Sequence, residues 1–366
     1  FLDLIGSPGS CKTTLCRGLL VSNHCVHSEN VTKLISGWRK VDDAGKDCSF
    51  LSRSNNKTWV TCEFDTLGSS HQYRELMGKI RRIFDGETSA VYGNSDEDRI
   101  YTSLRTPWIR AGTQKMMDRM SDYDQSQLGD RFLRFIITDP GRDERRDVSR
   151  SALRSEKAAL LYQTNGAGSI VDPKTCLAQA LTGGYIDWLR ANIEKLIGQV
   201  NISEEVEDYC IDLAELSADL RARPSDDRKK VELYETKEMP TRLSRQNIRM
   251  AYCLTVVLNK KVIDSEVLRI VRRIAFDTAY GISLSIVRWL CSPNPKAGNR
   301  LYQETGGLMF RTLQMWSGMS EDRLHKYLMY LRNIDVLKWE PIRSQTTGAW
   351  MLTERVYDLF IRTKPF

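Results

Sequence analysis

Hydrophobic positions along the chain follow two rhythms. Through the first 150 residues short apolar runs stand well apart: Phe1 to Ile5, Lys57 to Cys62, Trp108 to Gly112 and Phe132 to Ile137. They are apolar, β-branched or aromatic in character and bounded by Gly, Ser or polar residues, the pattern of buried strands. Segments with helical spacing lie between them. One covers about Lys12 to Ser22, and another, from His71 to Asp85, puts Leu76, Ile80, Ile83 and Phe84 on one face and closes at Gly86. A hairpin-like stretch through Val91 to Asn94, with a return strand at Ile100 to Leu104, follows it. Strands alternating with helices predict an α/β domain over residues 1–150.

Helical spacing then takes over, and residues 151–291 are expected to form an α-helical region. The expected helices are Ser151 to Asn165, one or two across Asp172 to Val200, Glu204 to Leu220, Thr241 to Leu258 and Asp264 to Ala279. In the third of these, Val206, Tyr209, Cys210, Leu213, Leu216 and Leu220 make one apolar stripe. Arg221 to Glu238 is dense in charge and reads as a solvated loop. A Pro/Gly-rich linker, Ser292 to Asn299, opens the last part, residues 292–366. Beyond it two helices, Gly307 to Trp316 and Ser320 to Asn333, precede two short strands, Val336 to Trp339 and Ala349 to Leu352. A final helix spans Thr353 to Arg362. Helix, turn, helix and a two-stranded wing predict a winged-helix domain.

Composition narrows the class. The 366 residues are 41% hydrophobic and 28% charged, as in soluble globular proteins, and no apolar run approaches a membrane span. Nothing at the start resembles a signal peptide, and the chain opens on a strand with Phe1 rather than Met, so a preceding segment is expected. Nine cysteines without a CxxC pair point to free thiols in a reducing cytoplasm. His24, Cys25 and His27 lack the spacing of zinc ligands and are assigned to loop and core. The net charge of +7 is compatible with nucleic acid as partner and decides nothing alone.

The chemistry is concentrated after the first strand. Gly6-Ser7-Pro8-Gly9-Ser10-Cys11-Lys12-Thr13-Thr14 has the character of a phosphate-binding loop. Small residues let backbone N–H groups curl around a polyphosphate, Lys12 neutralises β/γ oxygens, and the Thr13 hydroxyl ligates Mg²⁺. Cys11 stands where the last glycine of the pattern belongs, which is tolerable if the backbone there does not need positive φ. The strand ending at Cys62 delivers Glu63 and Asp65, carboxylates for the Mg²⁺ shell and the attacking water. Glu63 is assigned the main role and Asp65 a supporting one, because Cys62 occupies the place where many such enzymes carry the Mg²⁺-shell Asp. Thr113 and Gln114, after the third run, are candidates to hydrogen-bond the γ-phosphate or its water. For DNA phosphates the candidates are Arg99 and Arg105 on the 90–105 insertion and Arg323, Lys326, Lys338 and Arg343 in the last domain. The insertion's tip, Ser95 to Asp98, is acidic and counts against phosphate contact there.

These motifs, with Asp130-Arg131-Phe132 leading into a strand and Asp139-Pro140…Asp143, and Pro240-Thr241-Arg242-Leu243 opening a helix, resemble the AAA+ module of MCM-type helicases. The short forms of phages, plasmids and mobile islands are the most similar, and the resemblance extends to about Ala279. It implies an AAA+ core with α-helical lid, ATP and Mg²⁺ as cofactors, and a homo-oligomeric ring, most simply a hexamer. Arg131 becomes an arginine finger reaching a neighbour's ATP, and Arg242 the sensor-2 residue of the lid. Cys11, Cys62 and a sensor-1 position that is Thr113 or Gln114 depart from the family pattern. The expected function is a DNA helicase or translocase in replication of a mobile element, in the cytoplasm at the nucleoid, with replication proteins as possible partners. The alternative is an ATP-gated DNA-binding scaffold or loader. A small-molecule kinase leaves Arg131, Arg242 and the winged helix without a purpose.

Overall fold

The computed structural model describes residues 1–27, 34–36, 47–65, 73–90, 99–116, 131–139, 141–164, 173–221, 224, 239–291, 307–341 and 348–363. The chain divides into two compact units, Phe1–Arg119 with Arg134–Ile193, and Met120–Leu133 with Glu194–Phe366.

The first unit is α/β. Its strands β1 (Leu2–Ile5), β2 (Cys25–His27), β3 (Thr58–Thr61), β6 (Trp108–Gly112) and β7 (Leu133–Ile136) form a five-stranded parallel sheet in the order β2-β3-β6-β1-β7. β4 (Thr88–Ala90) and β5 (Arg99–Tyr101) make a separate antiparallel pair between β3 and β6 in sequence. Thus the expected return strand starts at Arg99 and ends at Tyr101, while Leu104 N–H bonds the Gly86 carbonyl at 2.8 Å. Val91 to Asn94 and the acidic tip Ser95 to Asp98 lie outside the described residues.

Because side chains alternate across a strand, the sheet has two different faces. On one, Val60, Cys62 and Ala111 pack with Cys16 of α1 (Lys12–Leu20), and Leu4, Leu19, Leu20 and Cys25 border them. The other face is aromatic and ionic. Trp59 and Trp108, register partners on β3 and β6, stack with centroids 4.0 Å apart, and Trp108 Nε1 donates to Thr61 Oγ1 at 3.0 Å. Phe50 of α2 (Phe50–Ser54) lies 4.9 Å from Trp59. Beside them Arg110 of β6 donates a fork to Asp3 of β1, Nε to Oδ1 at 2.6 Å and Nη2 to Oδ2 at 2.8 Å. The helix α3 (Tyr73–Phe84) adds buried Ile80 and Ile83, and Phe84 meets Phe1 edge to face.

Two long helices complete this unit, α4 (Arg142–Thr164) and α5 (Pro173–Ile197). α4 begins nine residues before the expected Ser151, because a polar, arginine-rich segment with Asp143 and Glu144 in its first turn is helical without being buried. α5 lies against α1: a Cβ on Gly183 would come within 2.7 Å of Val21, and Ser22 Oγ donates to Asp187 Oδ1. Residues 151–193, expected from periodicity in a separate α-helical region and from the resemblance in a lid, are grouped in the same unit as the sheet.

The second unit begins with four helices: α6 (Glu204–Arg221), α7 (Thr241–Val257), α8 (Ser265–Thr278) and α9 (Ile282–Cys291). Ala214 and Ala218 of α6 meet Leu243 of α7, and Asn247 Nδ2 donates to the buried Cys210 carbonyl at 3.2 Å. β8 (Leu308–Met309), α10 (Phe310–Ser317), α11 (Glu321–Asn333), β9 (Leu337–Pro341), β10 (Gly348–Leu352) and α12 (Glu354–Arg362) follow. Leu308 and Met309, expected at the start of a helix, instead pair with β10, so the expected two strands become a three-stranded sheet, β8-β10-β9. α12 packs back on the helices through Tyr209 OH to Thr363 O at 3.1 Å and Arg355 Nη2 to Asp219 Oδ2 at 2.9 Å. No helix among the described residues is long and apolar enough to cross a membrane.

Candidate nucleotide-binding site

Parallel strands bring their carboxyl ends to one edge of a sheet, the edge where ligands of open α/β folds bind. Here Ile5, Thr61, Gly112 and Ile136 end there, so four loops from distant parts of the sequence share it. Gly6 N–H donates to the Gly112 carbonyl at 3.2 Å, and Ile137 N–H to the Ile5 carbonyl at 2.7 Å. A Cβ on Gly6 would stand 2.6 Å from Ser10 Oγ and 3.1 Å from the Ile137 side chain, so the loop closes only over glycine.

Ser7, Pro8 and Gly9 are exposed, and Ser10 N–H returns to the Ser7 carbonyl at 3.2 Å. Gly9 takes φ 80° and Cys11 takes φ 60°, ψ 17°. The last position of the loop does adopt left-handed backbone, contrary to the condition on which cysteine seemed harmless there. Such turns gather backbone N–H groups into an anion-binding concavity, immediately before the N-terminus of α1.

Lys12 is buried and folds over this loop. Its Nζ donates to the Gly6 carbonyl at 2.8 Å, the Ser7 carbonyl at 2.8 Å and Ser10 Oγ at 3.1 Å. Burial pulls its pKa below the ordinary lysine value, and the Asp65 charge opposes that shift. Thr13 is half-buried and Thr14 exposed at the same helix start.

Asp65 is the carboxylate placed beside these groups. Its Oδ2 accepts the Thr113 backbone N–H at 2.9 Å, and a Cβ on Gly112 would lie 3.2 Å from its Oδ1. Glu63 is exposed on the same segment. Cys62 points to the opposite side, into the α1 face, where burial, and after it the neighbouring Cys62, pushes the Cys16 thiol up to about 12. Thr113 Oγ1 is buried with no hydrogen-bond partner among the described residues, a polar atom left over at this edge, whereas Gln114 is exposed.

Cys25 to His27, read from the sequence as loop and core, form the edge strand β2, because β3 offers them a parallel partner. No group of three His, Cys, Asp or Glu that could hold a metal ion is found among the described residues. Mg²⁺ does not require one, since it is held by one or two protein oxygens together with phosphates and water. Thr13, Asp65 and Glu63 have the oxygen chemistry for that.

Arg131 and Arg242 belong to the second unit. The Arg131 carbonyl accepts from Gln246 Nε2 at 3.3 Å, and Arg242 sits one turn before Gln246 at the start of α7. The phosphate-contact candidates separate. Arg99 is held by Asp47, which also accepts from Tyr101 OH, and its side chain is only 10% exposed. Arg105 and Arg323 are exposed, Lys326 is half-buried, Lys338 pairs with Glu340 at 2.9 Å, and Arg343 lies outside the described residues. Sequence reasoning missed Asp3 and Arg110, although single opposite charges inside two apolar strands were the available signal.

Neither a protein-family model nor a curated protein matches this chain.

Proposed function

We propose that the chain is an MCM-like AAA+ ATPase that hydrolyses ATP at the subunit interfaces of a hexameric ring and drives a DNA helicase or translocase in replication. The observation that carries this reading is the convergence of the Gly6 to Thr14 loop, Asp65 and Thr113 on one sheet edge. In this proposal the loop N–H groups and Lys12 take the β- and γ-phosphates, the ammonium exchanging carbonyl acceptors for phosphate oxygens. Asp65, fixed by the Thr113 N–H, takes over the main role expected of Glu63 and polarises the attacking water, with Glu63 in support. Thr113 Oγ1 supplies a hydrogen bond to the γ-phosphate or that water. Mg²⁺ held by Thr13 with one of these carboxylates supplies charge neutralisation on the phosphate oxygens. Arg131 acts as the finger toward a neighbour's ATP, and Arg242 as its sensor-2 counterpart. The helical part of the second unit serves as lid, and its C-terminal part, from α10 to α12, as a winged helix for DNA or a replication protein.

One observation favours the alternative, a nucleotide-gated scaffold or loader. Cys62 is buried in the α1 face, so the strand offers no carboxylate at that position. The deciding experiment is steady-state ATP hydrolysis with and without single-stranded DNA, with Asp65→Asn and Glu63→Gln alongside. The motor predicts DNA-stimulated turnover that falls about 10²-fold or more in Asp65→Asn and less in Glu63→Gln. Turnover indifferent to DNA with nucleotide binding intact favours the scaffold, and absence of nucleotide binding refutes both.

A further inference from the structure

The first unit carries a second concentration of positive charge that the nucleotide site does not use. Along α4, Arg145, Arg146, Arg150 and Arg154 are all exposed. At 100° per residue they share one side of the helix with Ser149 and Leu153, and also with Asp143 and Glu156, whereas Glu144 falls on the other. Arg145, Arg146, Ser149, Arg150 and Leu153 together line a surface concavity, and Leu153 is 70% exposed within it. Arg146, Arg150 and Arg154 recur every four residues, a rise of about 6 Å per step. Carboxylates share this helix: Asp143 and Glu156, both exposed, flank the arginines at either end of the stripe, and Asp147 reaches Arg150 at 3.2 Å with both partners more than half exposed, a surface pair that is easily exchanged.

We propose that this face of α4 binds the phosphate backbone of a nucleic acid. Guanidinium groups match phosphate oxygens two at a time, and a ladder of them along one helix face suits a polyanion with regularly repeated charges. The placement adds to this. α4 starts six residues after β7, whose carboxyl end lies at the nucleotide edge, so a backbone held here is covalently close to the site that would change with ATP. The inference extends the proposed DNA-linked ATPase and rests on that reading only for the choice of partner.

The test is fluorescence anisotropy of a labelled single-stranded oligonucleotide, and of its duplex, titrated with the full chain over a range of KCl concentrations. Arg145→Gln/Arg146→Gln/Arg150→Gln is compared with the corresponding triple Lys variant. Loss of three phosphate contacts should make the slope of log K against log[salt] on the single strand shallower by about 2, with at least about a tenfold loss of affinity at low salt. The Lys variant should keep the slope, because charge rather than packing is the cause. Binding of a fluorescent ATP analogue, measured on the same preparations, separates the two readings. A chain that shows the slope change but binds no nucleotide would remove the ATPase and leave this surface standing. An unchanged slope in the Gln variant overturns the proposal. So does a Gln variant whose DNA binding is intact but whose sedimentation changes, since the face would then contact protein.

Discussion

The pair Asp3 and Arg110 offers the sharpest energetic test of the first unit. The two residues face each other on β1 and β6, their side chains are 1% and 0% exposed, and two hydrogen bonds of 2.6 and 2.8 Å join them. The guanidinium also lies 4.4 Å from the Phe64 ring centroid and 5.2 Å from that of Trp108. Arg110→Met keeps most of the volume but strands a buried carboxylate, which should cost about 3–5 kcal/mol. Against a typical total of about 5–15 kcal/mol that is a large share. Asp3→Leu strands the guanidinium and should cost about as much. The double variant loses the attraction together with the desolvation penalty of both charges, so it should unfold within about 2 kcal/mol of wild type, the remainder being the lost ring contacts. Urea unfolding of the four proteins, followed by tryptophan fluorescence, gives the coupling energy. Additive single effects, or single variants costing less than about 1 kcal/mol, would refute the assignment of a desolvated, tightly coupled pair.

Two further predictions concern local structure. Cys11→Gly should relieve about 1–2 kcal/mol of left-handed backbone strain and lose about 0.4–1 kcal/mol to the greater freedom of the unfolded chain, so the loop should become neutral to modestly more stable. The exposed thiol buries little, and Cys11→Val, β-branched at the same φ, should lower the melting temperature; equal melting of both variants would contradict the strain. Asp264 caps α8, its Oδ1 accepting from Glu266 and Val267 N–H at 3.1 Å each, and the Lys260 hydrogen bond followed by that of Val267 holds its pKa below the usual value. A depressed folded pKa gives stability that is present above the unfolded value and lost as pH falls through the folded one. Asp264→Ala should therefore cost about 1 kcal/mol at neutral pH, and the difference should shrink below about pH 4, as read from urea midpoints.

Much of this architecture was legible along the chain. The four main strands, the helix after the loop and the apolar stripe of α6 follow from local periodicity and turn chemistry, which act over a few residues and leave their mark in composition. Other features were not. Leu308 and Met309 pair as a strand because β10 offers a partner 40 residues away, and α4 is helical from Arg142 although its polar face gives no apolar signal. The assignment of Asp65 and Glu63 illustrates the same divide. Both were candidates by their position after a strand, but only the packing of β3 beside β6 gives Asp65 the Thr113 N–H and the neighbourhood of Lys12.

The sequence by itself determined the inventory: an α/β first part with a Gly6 to Thr14 loop, a helical middle, and a helix-and-strand end, because period and turn residues are local properties. The tertiary structure alone decided which residues meet. Sheet order puts one strand between the loop strand and the acidic strand, and joins Asp3 to Arg110 across 107 residues. It also gives Cys11 its left-handed backbone and shows that Arg145, Arg146 and Arg150 stay in solvent. Those facts depend on burial and on contacts between remote segments, and burial exists only once the chain has closed on itself.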